Sequence, residues 1–397
     1  MTRTAAGSGA RVLITGIGVV SPVGDNASDY WASLLQAALP PSQGFNDLAD
    51  RIANRYMYVC DGDPAAQDAV GRTQQLSLHA VTEALGDAEL TPPHAGVNWS
   101  RAGVTVGTTM GDESLLEIAR AQRLPRGDYP FQVSAAIAER IGLCGPNLTI
   151  SNACTSGLYA IDLAAAAIRS GEADLMLAGG VESASRIVLS CFNRLGALDD
   201  GVCRPFDQSR KGTVLGEGAA FVVLESEPHL LQRRSSARAY AEYLGSGWSC
   251  DAHQPTAPEP GGVQIERALR TSLAASALQP EAIDCVLPHG TGTPLNDSVE
   301  AAVLARVFGG NRQLPVLTAI KSKLGHSGGA SGAFSLVTAC LMLRHARVPP
   351  TANLRQRDQA FTMPMPVDAP VEVPVRHVLI NAYAFGGNNI TAAVGAL

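Results

Sequence analysis

Short, almost wholly apolar runs recur along this chain, each followed by a helical segment. That alternation limits the fold more than any other feature. Arg11–Val20 (RVLITGIGVV), Ala102–Thr108, Asn147–Ser151, Asp174–Gly179 and the AAFVVLE run within Thr213–Glu225 are too short to cross a membrane. They are also too apolar for strands with one wet face, so they read as strands covered on both sides. Helical segments at Asp29–Ala38, Thr73–Leu85, Val133–Ile141 and an Ala-rich stretch ending at Arg169 separate them. The second half keeps the rhythm. Strands are expected at Ala237–Ser246, Cys285–Leu287, Val316–Ala319, His377–Tyr383 and Thr391–Val394. Helices are expected at Gly262–Ala277, Ser298–Phe308 and Gly328–His345. Such a pattern predicts an α/β architecture with buried sheets. Residues 41–71 carry no clear pattern.

A length of 397 residues is enough for two to three domains. Ile150–Arg169 and Thr318–Arg344 each combine a strand, a Gly/Ser-rich loop and a helix of small residues. The likeness is one of pattern and does not by itself establish a duplication. Only 17% of residues are charged and the net charge is -6, which argues against a nucleic-acid partner. No run approaches the ~18 apolar residues of a membrane helix, and Met1–Ala10 has no signal-like apolar stretch. A cytoplasmic protein is expected.

The eight cysteines, at 60, 144, 154, 191, 203, 250, 285 and 340, form no CxxC pair and no zinc-like cluster. Most read as small buried apolar groups in a reducing compartment, Cys144, Cys191, Cys285 and Cys340 among them. Cys154 differs. It sits in NACTSG, at a strand-to-helix turn, where free N–H groups and the helix dipole favour a thiolate.

His289 follows a strand in LPHGTGTP, with Gly290 and Gly292 beside it and two hydroxyls, Thr291 and Thr293, on the same loop. His326 lies in KSKLGHSGGASG and opens a helix of small residues. The other six histidines have no comparable surroundings. Only three of the 30 Lys and Arg residues are lysines, and two of these, Lys321 and Lys323, fall in that motif. An ammonium is a compact point charge that arginine does not imitate. Phe385, in AFGGNN, opens a glycine loop whose backbone N–H could complete an anion site.

NACTSG, PHGTGTPLND, KSKLGH and FGGNN, in that order, together with RPFDQSRKGTVLGEGAA at 204–220, resemble the elongating β-ketoacyl-acyl-carrier-protein synthases. The resemblance runs from Arg11 to the C-terminus. It implies a thiolase fold of two fused, similar halves in a layered αβαβα arrangement. Residues 1–236 would carry the nucleophilic Cys154 and the dimer interface, and 237–397 the two histidines. It implies an acyltransferase: Cys154 takes an acyl group from acyl carrier protein, and a malonyl unit on the same carrier is decarboxylated and condensed onto it. His289 and His326 would support the enolate, and Lys321 the His326 region. Glu300 matches the carboxylate partner of that lysine. The N–H groups of Cys154 and Phe385 would form the oxyanion hole, with Phe385 also gating the acyl pocket. Thr291 and Thr293 would contact the phosphopantetheine arm. No cofactor of the chain's own is implied, since phosphopantetheine belongs to the carrier protein, and no metal or nucleotide.

Three positions depart from the family pattern. Ser335 stands where a glutamate is usual, Thr213 where a Phe is usual, and Asn388 where many members have Thr. They bear on the substrate rather than on the reaction, so a fatty-acid role or a specialised polyketide or polyene role both fit. The dimer partner would be a second copy or a ketosynthase-like subunit. A non-catalytic chain-length-factor role conflicts with the presence of Cys154. A thiolase acting on free coenzyme A would need a second cysteine late in the chain, and none follows Cys340.

Overall fold

The computed structural model describes residues 10–36, 41–43, 45–48, 51–62, 71–90, 92, 96–123, 129–233 and 238–397. Ten strands form one sheet. They are β1 (Val12–Val20), β2 (Ala102–Gly107), β3 (Asn147–Ile150), β4 (Leu175–Glu182), β5 (Gly218–Ser226), β6 (Ala241–Cys250), β7 (Cys285–Leu287), β8 (Val316–Leu317), β9 (His377–Tyr383) and β10 (Asn388–Gly395). Every residue of β1, β4 and β5 is buried, so these strands read as unbroken apolar runs rather than alternating ones. Fully burying one Val, Leu or Ile side chain stabilises by about 1.5–3 kcal/mol, so these strands anchor the fold.

Across the sheet the order is β8-β7-β9-β10-β6-β1-β5-β4-β2-β3. Read outward from the middle, one side runs 1-5-4-2-3 and the other 6-10-9-7-8, the same succession displaced by five. Directions match as well. β1/β5 and β5/β4 are antiparallel, as are β6/β10 and β10/β9. β4/β2 and β2/β3 are parallel, as are β9/β7 and β7/β8. The sides join where β1 pairs antiparallel with β6, Leu13 opposite Glu242 and Ile14 opposite Ala241. The expected division at 236/237 lies outside the described residues.

Helices α1 (Arg72–Asp87), α2 (Ser156–Arg169) and α3 (Val263–Ala275) pack on the sheet, α4 (Pro294–Phe308) packs on α3, and α5 (Ser331–His345) packs on the sheet and on α2. The helices α2 and α5 follow the edge strands β3 and β8, the equivalent places in the two halves. They are the two small-residue helices of the sequence pattern. Their composition has a steric cause. A Cβ at Gly157 would sit 2.6 Å from the Gly329 carbonyl oxygen, and one at Gly332 would sit 2.7 Å from the Leu158 Cβ. Larger residues would push the two helices, and the loops in front of them, apart.

Several boundaries differ from the sequence expectation. Helix α4 begins at Pro294 rather than Ser298, and proline at a first helical position is a start signal. Helix α5 begins at Ser331, after a 3-10 turn at Gly328–Ala330. Helices at Glu113–Ala121, Arg186–Arg194 and Glu227–Gln232 were not anticipated. The second of these is capped by Ser185, whose hydroxyl accepts from Ile187 and Val188 N–H. Cys144 and Cys191 are exposed, not buried as their apolar neighbours implied, while Cys285 and Cys340 are buried. Among the described residues, no helix is long and apolar enough to cross a membrane.

Candidate active site

Four loops at the ends of strands converge between the two halves, and each is built by local chemistry. Cys154 sits in a 3-10 turn (Ala153–Thr155) between β3 and α2. Ala153 takes a positive φ of 49°, a conformation L-residues adopt at a cost of about 1–2 kcal/mol. Ser156 holds the turn: its hydroxyl accepts from Asn152 N at 2.8 Å and donates to Ala153 O at 2.6 Å. His289 follows β7. Glu300, on the first turns of α4, accepts from His289 N and Gly290 N, each at 2.9 Å. Asn381 on β9 also donates to Glu300 at 3.1 Å. His326 is pinned through its backbone. Its N–H donates to Val214 O at 2.7 Å and its carbonyl accepts from Gly216 N at 3.0 Å.

These loops place His326 Nε2 at 3.0 Å from Cys154 Sγ. The other ring nitrogen, Nδ1, meets the Ser331 hydroxyl at 3.0 Å. The His289 ring stands 5.6 Å from that of His326, nearly perpendicular at 88°. Lys321 donates to the His289 carbonyl at 2.6 Å. Cys154, His289 and His326 line one cavity of about 320 Å³, shared with Thr213, Thr291 and Thr293. The Thr291 and Thr293 hydroxyls are 2.9 Å apart.

Burial dominates the electrostatics. It pushes the Cys154 thiol up to about 11, against the pull of the Lys321 ammonium and of the backbone N–H groups of Cys154 and Phe385. The sequence expectation of a thiolate favoured by the helix terminus is therefore reversed at rest, because desolvation outweighs the dipole. Burial, helped by Lys321, pushes His326 down to about 3. His289 is driven well below its ordinary value by burial, with Lys321 and His326 adding to the effect. The resting pair is thus a neutral thiol facing a neutral imidazole rather than a thiolate–imidazolium ion pair. Among the described residues, His289 Nδ1 is buried without a partner. An orphaned lone pair costs less than an orphaned N–H, so the proton belongs on Nε2 and makes it a donor.

Two expected roles come out differently. Among the described residues, Lys321 and Glu300 make no direct ion pair. The Glu300 oxygens are occupied by the N–H groups of the His289 loop, so the carboxylate acts on Lys321 only through space. Burial raises the Glu300 carboxyl to about 7 despite those donors. Asn388 does not line the cavity; its neighbour Asn389 does, donating to Asp251 Oδ1 at 2.6 Å. Thr213 is fully buried at the cavity wall beside Cys203. Ser335, where the family pattern has a glutamate, donates to Ser331 O one turn back at 3.1 Å. Lys323 lies away from the cavity and donates to Leu34 O and Gln36 O at the end of the helix Ala27–Leu34.

Three contributors escaped the sequence reading. Phe192, from the unanticipated helix, stacks on Phe385 at 5.6 Å and meets His326 edge-on at 6.3 Å. The Tyr383 ring lies 5.6 Å from that of His289. Glu182, at the end of β4, is buried beside Cys154 and His326 in a second, smaller cavity of about 60 Å³. The Ser185 cap was the available signal for Phe192's helix; the other two residues sit in ordinary strand sequence.

Residues 9–229 match the model of the β-ketoacyl synthase N-terminal domain, and residues 240–355 that of the C-terminal domain. The chain is 34% identical over 407 residues to 3-oxoacyl-[acyl-carrier-protein] synthase 2 of Coxiella burnetii, covering 96% of this chain and 97% of that protein. It is 34% identical over 410 residues to the oxytetracycline polyketide putative β-ketoacyl synthase 1 of Streptomyces rimosus, covering 95% of each. Among solved structures, the ishigamide ketosynthase/chain length factor superposes with a TM-score of 0.88 at 36% identity, over 98% of this chain and 100% of that one.

Proposed function

Since the chain belongs to the β-ketoacyl synthase family, we infer that it joins an acyl group held on Cys154 to a malonyl unit on acyl carrier protein. The products are a 3-oxoacyl carrier protein and carbon dioxide. The observation that carries this reading is the 3.0 Å contact of Cys154 Sγ with His326 Nε2, in a cavity that His289 also lines.

In the first half-reaction, Sγ attacks the carbonyl carbon of an acyl thioester while His326 Nε2 takes the thiol proton. The oxyanion is received by the N–H groups of Cys154 and Phe385. The bond to the phosphopantetheine sulfur then breaks, and that sulfur leaves with the proton from His326. In the second, the arm of malonyl carrier protein passes Thr291 and Thr293. The carbon–carbon bond to the carboxylate breaks, carbon dioxide leaves, and the electron pair enters the thioester as an enolate. Between the two half-reactions His326 exchanges its proton from Nδ1 to Nε2, and the Ser331 hydroxyl turns from acceptor to donor at Nδ1; Nε2–H of His289 and of His326 then hold the enolate oxygen. The enolate carbon attacks the acyl carbonyl, the bond to Cys154 breaks, and the departing sulfur takes the Nε2 proton of His326, which is replaced from solvent. Lys321, on the carbonyl of His289, is a positioning residue for that loop. The phosphopantetheine is the carrier's, and the chain supplies no cofactor.

The division into an N-terminal half carrying the nucleophile and a C-terminal half carrying both histidines, at 236/237, is supported by the repeated strand order. The edge strand β3, with Leu148 exposed, and the exposed, stacked Tyr129 and Phe131 of the same half support a second ketosynthase-like subunit docking on the N-terminal half. That subunit is a second copy or a paralogue. Three exposed free cysteines, Cys144, Cys191 and Cys250, support a reducing, cytoplasmic setting.

Intact-protein mass spectrometry with an acyl carrier substrate tests the reading. Cys154→Ala is expected to lose acyl-enzyme formation, and acylation retained at another site would refute the assignment. His289→Ala is expected to lose malonyl decarboxylation while keeping self-acylation.

A further inference from the structure

Glu182 ends β4 and lies buried beneath the turn that carries His326. Its carboxylate accepts from Gly329 N at 2.7 Å, from Thr109 N at 3.0 Å, from the Thr108 hydroxyl at 3.4 Å and from the Thr109 hydroxyl. Gly329 sits between His326 and Ser331, in the 3-10 turn that leads into α5. Ser331 contacts His326 Nδ1, and His326 Nε2 faces Cys154. A continuous set of contacts therefore runs from the Glu182 carboxylate, through one turn, to the reacting sulfur. No step of the condensation uses this acid.

An amide oxygen could hold the same N–H groups, so the presence of an acid asks for a reason. A buried negative charge near the thiol opposes the thiolate that Lys321 favours. The other charged or titratable groups around Glu182 come from each neighbouring element. Glu113 stands on the helix Glu113–Ala121. Cys154 and His326 stand on the catalytic loops and share the smaller cavity with Glu182. The Glu217–Arg72 pair lies just beyond, with Glu217 accepting from Ala184 N at 2.9 Å. Among the described residues, neither Glu113 oxygen has a hydrogen-bond partner. Two neighbouring buried acids do not both ionise, so the proton belongs on Glu113 and the charge on Glu182, where the donors are.

Resting on Cys154 as the nucleophile, we propose that Glu182 is a positioning residue for the condensation: its carboxylate fixes the Gly329 turn, and its charge adds to burial in disfavouring the Cys154 thiolate against the pull of Lys321. Burial raises Glu182 to about 7, so its charge is lost in mildly acid solution.

The test is the pH profile of Cys154 alkylation by iodoacetamide, read at that site by peptide mass spectrometry because other cysteines are exposed. Glu182→Gln keeps the acceptor and removes the charge. It is expected to move the profile to lower pH by on the order of half a unit or more and to slow condensation. Glu182→Asp restores the charge and is expected to bring the profile back toward wild type. Thr109→Val strips a donor from a carboxylate that stays ionised where the thiol titrates, so the charge is less compensated and the profile is expected to shift the other way, to higher pH, by less. A profile unmoved in folded Glu182→Gln overturns the proposal. Should that variant fail to fold, an unmoved profile in Thr109→Val overturns it. Alkylation reads the thiol without any acyl substrate. A shift found in a protein that condenses no carrier substrate would therefore support the Glu182 assignment and sink the functional reading instead.

Discussion

Replacing Glu300 by alanine tests how the His289 loop is held. The substitution removes the acceptor of three donors at once: His289 N and Gly290 N at 2.9 Å, and the Asn381 amide at 3.1 Å. Both Glu300 and His289 are buried, at 0% and 4% exposure, so water does not readily take over. An unpaired buried donor costs about 1–3 kcal/mol, and three together cost roughly 3–9 kcal/mol. For a chain of 397 residues each kcal/mol lowers Tm by about 1.2 °C, so at about 6 kcal/mol, the middle of that range, Glu300→Ala is expected to melt about 7 °C below wild type. Glu300→Gln keeps one oxygen for an N–H but turns an NH₂ group toward another donor, and its loss is expected to be intermediate. Lys321 also loses the carboxylate that favours its charged form against burial. Malonyl decarboxylation is therefore expected to fall in both variants. Thermal melts by circular dichroism, paired with a decarboxylation assay, read both effects. A Glu300→Ala protein that melts within about 2 °C of wild type would refute the reasoning.

Two other outcomes are expected at the same site. His326 is held near 3 by burial, against an ordinary value of 6.5. The folded chain thus binds fewer protons than the unfolded one between those values, and stability is full above pH 6.5 and lost as pH falls toward 3. At about 1.4 kcal/mol per unit the loss reaches roughly 5 kcal/mol. His326→Phe should therefore unfold at lower pH than wild type, and an unchanged acid midpoint would count against this account. Phe192→Ala removes a ring stacked on Phe385 at 5.6 Å, a contact worth about 0.5–1.5 kcal/mol. The acyl-enzyme is expected to form but to hydrolyse faster, and an unaltered hydrolysis half-life would show that Phe192 does not shield it.

The central strands and the four loops were legible because their signals are local. An unbroken run such as GAAFVVLES at β5 reports burial on both faces without knowledge of its neighbours. The glycines around His289, His326 and Phe385 report turns in the same way. The helix Arg186–Arg194 was missed although it is strongly one-sided, with Leu189 buried and Val188 and Phe192 packed beside it, because its nine residues offer few turns over which to read the period. Glu300 was identified by its place in a motif but given the wrong contact, since spacing along a chain does not say which donors a carboxylate meets in space.

By itself the amino-acid sequence determined the class of fold and singled out Cys154, His289 and His326 as candidates, because each lies in a contiguous pattern of strand, turn and helix start. The tertiary structure decided the rest. It set the succession of strands that makes the two halves alike, the approach of α2 to α5, and the 3.0 Å contact of Cys154 with His326. It also decided that the thiol rests protonated. Pairing, desolvation and through-space charge depend on distances between residues remote in sequence, and only the folded chain brings Cys154, Glu182, His289, Lys321 and His326 close enough for those terms to act.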